Sequence, residues 1–149
     1  MTVSAREIRV FVAREIKART GWMESRASYD LFGRDTRPLR NEAFAVGVPD
    51  SAAEPLDRQR ASTGMHTHTA VGVKWSMALG LGGPDDYDAA LLRGEERLLA
   101  ALEAIPAGSM RNLGVSLLVL SMTRSVPAGD ESYLTGEIRM MASHMYPLA

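Results

Sequence analysis

The chain has no cysteine among its 149 residues, which excludes a disulfide framework, a thiolate metal site and a cysteine nucleophile. It also has no apolar run near the roughly 20 residues that a membrane-spanning helix needs. Its first residues are charged and include no apolar stretch of the kind that marks a secretory signal. We therefore expect a soluble protein that makes no contact with a membrane and stays in the cell that produces it.

Excess charge of either sign is missing as well. The formal net charge is −1, whereas a general nucleic-acid-binding domain is usually markedly basic. Arginine nevertheless supplies 15 of the 17 basic residues, and arginine is the cation that protein interfaces prefer. The length suits one domain, here residues 1–149, with a core of its own.

Two segments have helical patterns. Ser4 and Glu7 have the spacing of a capping box, apolar residues then recur at helical intervals, and Gly21 is a typical stop signal. These features predict a helix over about residues 4–20. A second helix is predicted from about residue 84 to Ile105, with Leu91, Leu92, Leu98, Leu99, Leu102 and Ile105 on its buried face.

The remaining patterns favour β-structure. "SYDLF" suggests a short strand, "AFAVGVP" a half-buried strand that ends at Pro49, and residues 49–63 a flexible loop. Strict alternation predicts a strand over residues 63–81 that is too long for its own domain. Two further strands around the turn "PAGDES" form a predicted hairpin. The resulting fold class is α+β, a largely antiparallel sheet with a long strand, a hairpin, and helices packed on one face.

His66 and His68 are the most conspicuous candidates for chemistry. Two histidines at i and i+2 share one face of a strand and can both reach a metal ion, with His144 as a third ligand. The same pair begins the cupin metal motif, but the glutamate and the later histidine of that motif are absent. Solvated strand histidines are the alternative, and the residues between them offer no strong ligand. We expect no metal and no other cofactor.

The usual catalytic motifs are missing. The sequence has no nucleophile elbow, Walker sequence, His-Glu-x-x-His motif or dinucleotide fingerprint. The glycines at residues 80–83 precede three aspartates and no lysine, which suits a helix cap and repels phosphate. Glu95 and Glu96 are adjacent on a helix and therefore point to different sides. The sequence predicts that the protein is not an enzyme.

The order of elements resembles that of the tail terminator proteins of long-tailed bacteriophages, the lambda type among them. The resemblance rests on "REIRVFVAREI", "FAVGVPD", the strand over residues 65–81, "YDAALLRGEERLLAALEAI" and "SLLVLSMTR…YLTGEIRMM", and it covers nearly the whole chain. It implies a structural virion protein, assembled in the host cytoplasm, that forms a hexameric ring at the head-proximal end of the tail. In that family the ring stops growth of the tail tube and presents a surface for head attachment.

The resemblance also implies partners. They are further copies of the chain, the tail tube protein and a head–tail connector or neck protein, while DNA passes through the lumen without sequence-specific binding. The predicted interface pairs an arginine-rich segment with the acidic helix and includes the polar loop and the histidine pair. Its candidate residues are Arg34, Arg37, Arg40, Arg58, Arg60, His66, His68, Glu95 and Glu96.

Two alternatives remain open at this level. A head–tail connector or tail-completion protein of the neck has much the same layout. A protein of another class, which binds a metal or a small ligand through His66 and His68, is also compatible with the sequence.

Overall fold

A computed structural model describes residues 2–33, 38–53, 64–105, 114–127 and 130–147. Five strands and several helical segments make up this part of the chain. In chain order they are α1 (Ala5–Thr20), β1 (Met23–Glu24), a short 3-10 helix (Tyr29–Leu31), β2 (Ala43–Ala53), β3 (Gly64–Ala78), α2 (Pro84–Leu91), a π-helical segment (Leu92–Glu96), α3 (Arg97–Glu103), β4 (Ser116–Ser125) and β5 (Tyr133–Pro147).

The strands form one sheet in the order β1-β2-β3-β5-β4. β1 runs parallel to β2, and the other three pairs are antiparallel. The helices cover one face of this sheet, where their apolar side chains join those of the strands in one core. The predicted α+β class is confirmed. Among the described residues, no helix combines the length and the apolar character needed to cross a membrane.

α1 follows its sequence signals closely. Ser4 and Glu7 form both hydrogen bonds of the capping box, and Gly21 ends the helix with a left-handed backbone. Ile8, Phe11, Val12 and Ile16 are buried against the sheet. The amide of Val3 donates to the carbonyl of Met145 at 2.7 Å, which attaches the start of α1 to β5.

β3 is the central strand. Its alternation is confirmed, because Val71, Val73, Trp75 and Met77 are all buried on the face that the helices cover. β3 pairs with β5 along its whole length and with β2 from Thr67 to Ser76. The strand is therefore not too long for its own domain, as the sequence suggested, because neighbouring strands of the same chain pair with most of it.

Two shorter predictions also need correction. β2 continues past Pro49 to Ala53 by means of an irregularity between Gly47 and Asp50, so residues 50–53 are strand and not loop. Residues 54–63 of the predicted loop lie outside the described residues. The segment "SYDLF" contains a 3-10 helix and not a strand, and the ring of Tyr29 lies over Gly47 and Gly72 of the sheet.

The second helix is interrupted by the π-helical segment. Gly94, within this segment, lies against the indole of Trp75, and Gly136 of β5 lies against the same indole. Leu98, Leu102 and Ile105 are buried as predicted, but Leu92 is exposed. Leu91, which is partly buried, has ordinary helical spacing to these three residues, whereas Leu92 lies beside that stripe and is therefore exposed.

Replacement of Gly136 by alanine should destabilise the fold by about 1–3 kcal/mol, because the added methyl group would overlap the Trp75 indole in a packed core. Urea unfolding measures this change directly. Trp75→Phe provides the control, since a smaller ring leaves room for the methyl group. The effect of Gly136→Ala should therefore be smaller in the Trp75→Phe background, whereas equal effects in both backgrounds would contradict the assigned contact.

Candidate interaction surfaces

Four of the five arginines predicted at the interface lie outside the described residues. They are Arg34, Arg37, Arg58 and Arg60. Arg40 is exposed, and its backbone is held in place because its carbonyl accepts a hydrogen bond from the Ser76 hydroxyl at 2.5 Å.

The three histidines lie on two faces of the sheet. His144 is opposite Thr67 in the pairing of β3 with β5, so it lies on the helix-covered face, whereas the flanking His66 and His68 lie on the other. His66 is exposed, and Nδ1 of His68 is 2.9 Å from the Ser143 hydroxyl. The suggestion that His144 is a third ligand was therefore wrong. In the described part of the chain, no three His, Cys, Asp or Glu side chains are arranged to hold a metal ion.

His144 belongs to a buried hydrogen-bond network. Its Nδ1 donates to the carbonyl of Val3 at 2.9 Å, because a carbonyl only accepts, and its Nε2 then accepts from the Thr69 hydroxyl at 2.6 Å. The Thr69 oxygen is also 2.8 Å from the Ser51 hydroxyl. Burial lowers the pKa of His144, and its contacts with backbone carbonyls only partly offset this effect. The network thus joins three strands to the N-terminal segment through a neutral imidazole.

Glu95 has a different environment from the one predicted. It lies in the π-helical segment and is buried, and Nε of Arg124 on β4 donates to both of its carboxylate oxygens at 2.8 and 3.0 Å. These bonds raise the pKa of Arg124, so the guanidinium keeps its charge. Glu96, the next residue, is exposed. Glu95 and Glu96 do point to different sides, and the intramolecular partner of Glu95 was missed.

Tyr29 covers part of the face of the sheet that the α-helices leave open. Its ring lies directly over Gly47 and Gly72, where any side chain would overlap it. Its hydroxyl donates to Glu137, and Nζ of Lys74 lies 4.3 Å from the centre of its ring. Burial, followed by the bond to Glu137, raises the pKa of Tyr29. The surface of the sheet around Gly47 and Gly72 is thus covered by a side chain of the same chain.

β4 is the most exposed element of the sheet. It is an outer strand that pairs only with β5 in the described structure. Among the described residues, ten large apolar side chains are exposed, and five of them lie on β4 or directly after it. They are Leu118, Val119, Leu120, Met122 and Val126. A long apolar edge strand readily adds another strand, and monomeric proteins usually protect such an edge with charges or proline. Arg124 is the only charge on β4, and it is bound to Glu95.

The sequence contained part of this information. The run "SLLVLSM" has apolar residues at consecutive positions, so both faces of the strand are apolar, whereas a half-buried strand alternates. Its place at the edge of the sheet depends on the strand order, which no local pattern indicates.

No protein-family model matches the sequence, and no curated protein is significantly similar to it. Any proposed function therefore rests on the surfaces of the protein.

The His144 network predicts a specific dependence of stability on pH. The unfolded histidine titrates near its ordinary pKa of about 6.5, while the folded group resists protonation. The free energy of unfolding should therefore be constant above about pH 7 and fall as the pH drops below about 6.5 toward the lowered folded-state pKa. Urea unfolding at several pH values measures this slope. His144→Gln should remove part of it, whereas His66→Gln at the exposed position should leave it unchanged; equal slopes in all three proteins would contradict the assignment.

Arg124→Leu should destabilise the protein by about 1–3 kcal/mol, because it leaves the buried Glu95 carboxylate without its partner. The lower part of this range applies because Arg124 is itself partly exposed. Adding Glu95→Gln should restore part of the loss, since a neutral amide is less costly to bury. Arg19→Leu is the matched control: it removes an α1 surface pair with Glu15 and should cost less than about 0.5 kcal/mol. Equal losses in the two arginine variants would contradict a special role for the buried pair.

Proposed function

We propose that the protein is a structural subunit that forms a homo-oligomeric ring, with six subunits, at the head-proximal end of a phage tail. The proposal combines the resemblance to tail terminator proteins with one observation, the long apolar free edge of β4. In a monomeric protein such an edge would have no use and would promote uncontrolled association with other chains.

The sheet has a second free edge on its opposite side. β1 covers only Ala43 and Phe44 of β2, so the part of β2 that follows is unpaired on that side within the described residues. Two different edges on opposite sides of one sheet support a head-to-tail contact between copies. Such contacts produce a ring when the rotation between subunits closes and a fibre when it does not. A ring has no free edges left.

The proposal carries further consequences for partners and location. The ring would contact the tail tube on one side and a head–tail connector or neck protein on the other, and DNA would pass through its lumen without recognition of sequence. The protein would be part of the virion. A head–tail connector or tail-completion protein is the second candidate, because it would use the same edges and differs in what the ring binds.

The test is the effect of charge on the β4 edge. Leu118 and Leu120 are 56% and 58% exposed, so lysine at both positions should leave the fold intact, since surface changes usually cost less than about 0.5 kcal/mol. The doublet should nevertheless weaken self-association at least about tenfold, because it places charges on an apolar interface. Size-exclusion chromatography with light scattering measures the association, and negative-stain electron microscopy shows whether the oligomer is a ring.

Leu92→Lys is the control, because Leu92 is as exposed as these leucines, at 61%, but lies on the helical layer. It should leave assembly unchanged. Binding of the wild-type ring to purified tail tubes separates a terminator from a connector. A chain that remains monomeric, alone and with tail tubes, would defeat the proposal.

A further inference from the structure

Leu81 is held in an unusual position. Its side chain is fully exposed, in the turn between β3 and α2. The amide of Gly82 donates to the carboxylate of Asp86, and a side chain at Gly80 or Gly82 would meet the same carboxylate. The turn is therefore closed tightly around Asp86. Such a turn presents Leu81 to solvent in a defined place, although burial of a leucine is favourable.

Acidic side chains follow this leucine in the sequence, and one of them lies on the same surface. Asp85 and Asp88 are exposed in the first turns of α2, and Asp88 lines the same shallow surface as Leu81. Neither carboxylate forms an ion pair or hydrogen bond with another described residue, whereas Asp86 is occupied by the turn. We call Leu81, Asp85 and Asp88 the knob.

A pocket with the opposite charge lies elsewhere on the molecule. It has a volume of about 400 Å³ and includes the apolar side chains of Phe32 and Leu39 beside β2. Arg26 and Arg40 also line it. Both arginines are exposed, and neither guanidinium has an ion pair or hydrogen bond with any residue that the structure describes. An apolar interior with two cations that pair with no described residue suits an apolar group that carries carboxylates on its rim.

The knob and the pocket lie at the same end of the sheet but toward opposite edges of it. Ala43, which lines the pocket, pairs with Ser76 near the end of β3, and Leu81 follows that end. The knob approaches β5, since the amide of Leu79 donates to the carbonyl of Ser132 at 2.7 Å. The pocket lies toward β1, on the other side of β3. A neighbouring copy placed beside the sheet can therefore bring its knob to this pocket at the same level.

We propose that Leu81 of one subunit occupies the Phe32–Leu39 pocket of the next copy, with Asp85 and Asp88 facing Arg26 and Arg40. This inference rests on the self-assembly proposed above and names one of its contacts. It differs from the pairing predicted from the sequence, because the carboxylate of Glu95 is already bound to Arg124. The contact joins two different surfaces, so it has the head-to-tail form that a closed ring requires.

Two variants separate the halves of the contact. Leu81→Asp disables the knob and leaves the pocket intact, while Arg26→Glu with Arg40→Glu disables the pocket and leaves the knob intact. Each should weaken self-association at least about tenfold, and Leu92→Asp should not. All the altered positions are exposed, and circular dichroism and thermal unfolding verify the fold.

Mixing the two variants provides the sharpest result. The two variants are mixed at a concentration at which each alone is monomeric. One productive contact then remains possible, because the intact knob of the Arg26→Glu, Arg40→Glu variant can bind the intact pocket of the Leu81→Asp variant. The mixture should therefore form a 1:1 heterodimer and nothing larger, as light scattering measures. A mixture that remains monomeric would overturn the contact.

The remaining outcomes distinguish this inference from the proposed function. A wild-type oligomer that Leu81→Asp leaves unchanged would overturn the contact and leave self-assembly standing. A wild-type protein that is monomeric at every concentration would overturn both. If octanoate, an apolar chain with one carboxylate, binds the wild-type protein but not the Arg26→Glu, Arg40→Glu variant, and Leu81→Asp has no effect on assembly, the pocket is a small-anion site and the subunit contact is wrong.

Discussion

The indole of Trp75 determines how closely the helices approach the sheet. It lies between Gly136 on the neighbouring strand and Gly94 in the π-helical segment, and only glycine leaves space on either side of it. Glu95, which follows Gly94, is a buried carboxylate and therefore needs a cation. Arg124 supplies the cation from β4. One aromatic side chain thus connects the core of the sheet, the irregular helix and the outer strand.

This arrangement separates the polar groups that maintain the fold from those that face outward. The His144 network, the Glu95–Arg124 pair and the Tyr29–Glu137 bond each join distant parts of the chain, and each is at least partly buried. Their altered pKa values have structural causes, burial and fixed hydrogen bonds, and so do not by themselves indicate catalysis. The exposed features described above are the apolar edge of β4, Leu81 with its neighbouring carboxylates, and the pocket that is lined by arginines. These features favour association with other protein surfaces.

The same constraint bears on the proposed contact between copies of the chain. β4 lies at the edge of the sheet, and its one charged side chain is engaged by the helical layer, so its edge carries no free charge to discourage pairing. The knob and the pocket add a second, charged element at one end of the sheet. Apolar contacts supply most of the affinity of protein interfaces, whereas complementary charges mainly select the partner and the register. An assembly that uses both would associate strongly and in only one orientation.

The sequence alone determined the elements whose signals are local. The capping box and stop of α1 and the alternation of β3 lie within a few turns or residues, so their periods are visible in the chain and the structure agrees with them. Contacts between distant residues were decided by the tertiary structure. Tyr29 and Glu137 are 108 residues apart, His144 and Thr69 are 75 apart, and Arg124 and Glu95 are 29 apart. No local period encodes these pairs, because each depends on strand order and register. The continuation of β2 past Pro49 likewise depends on an irregularity in its pairing with β3, which no local period indicates.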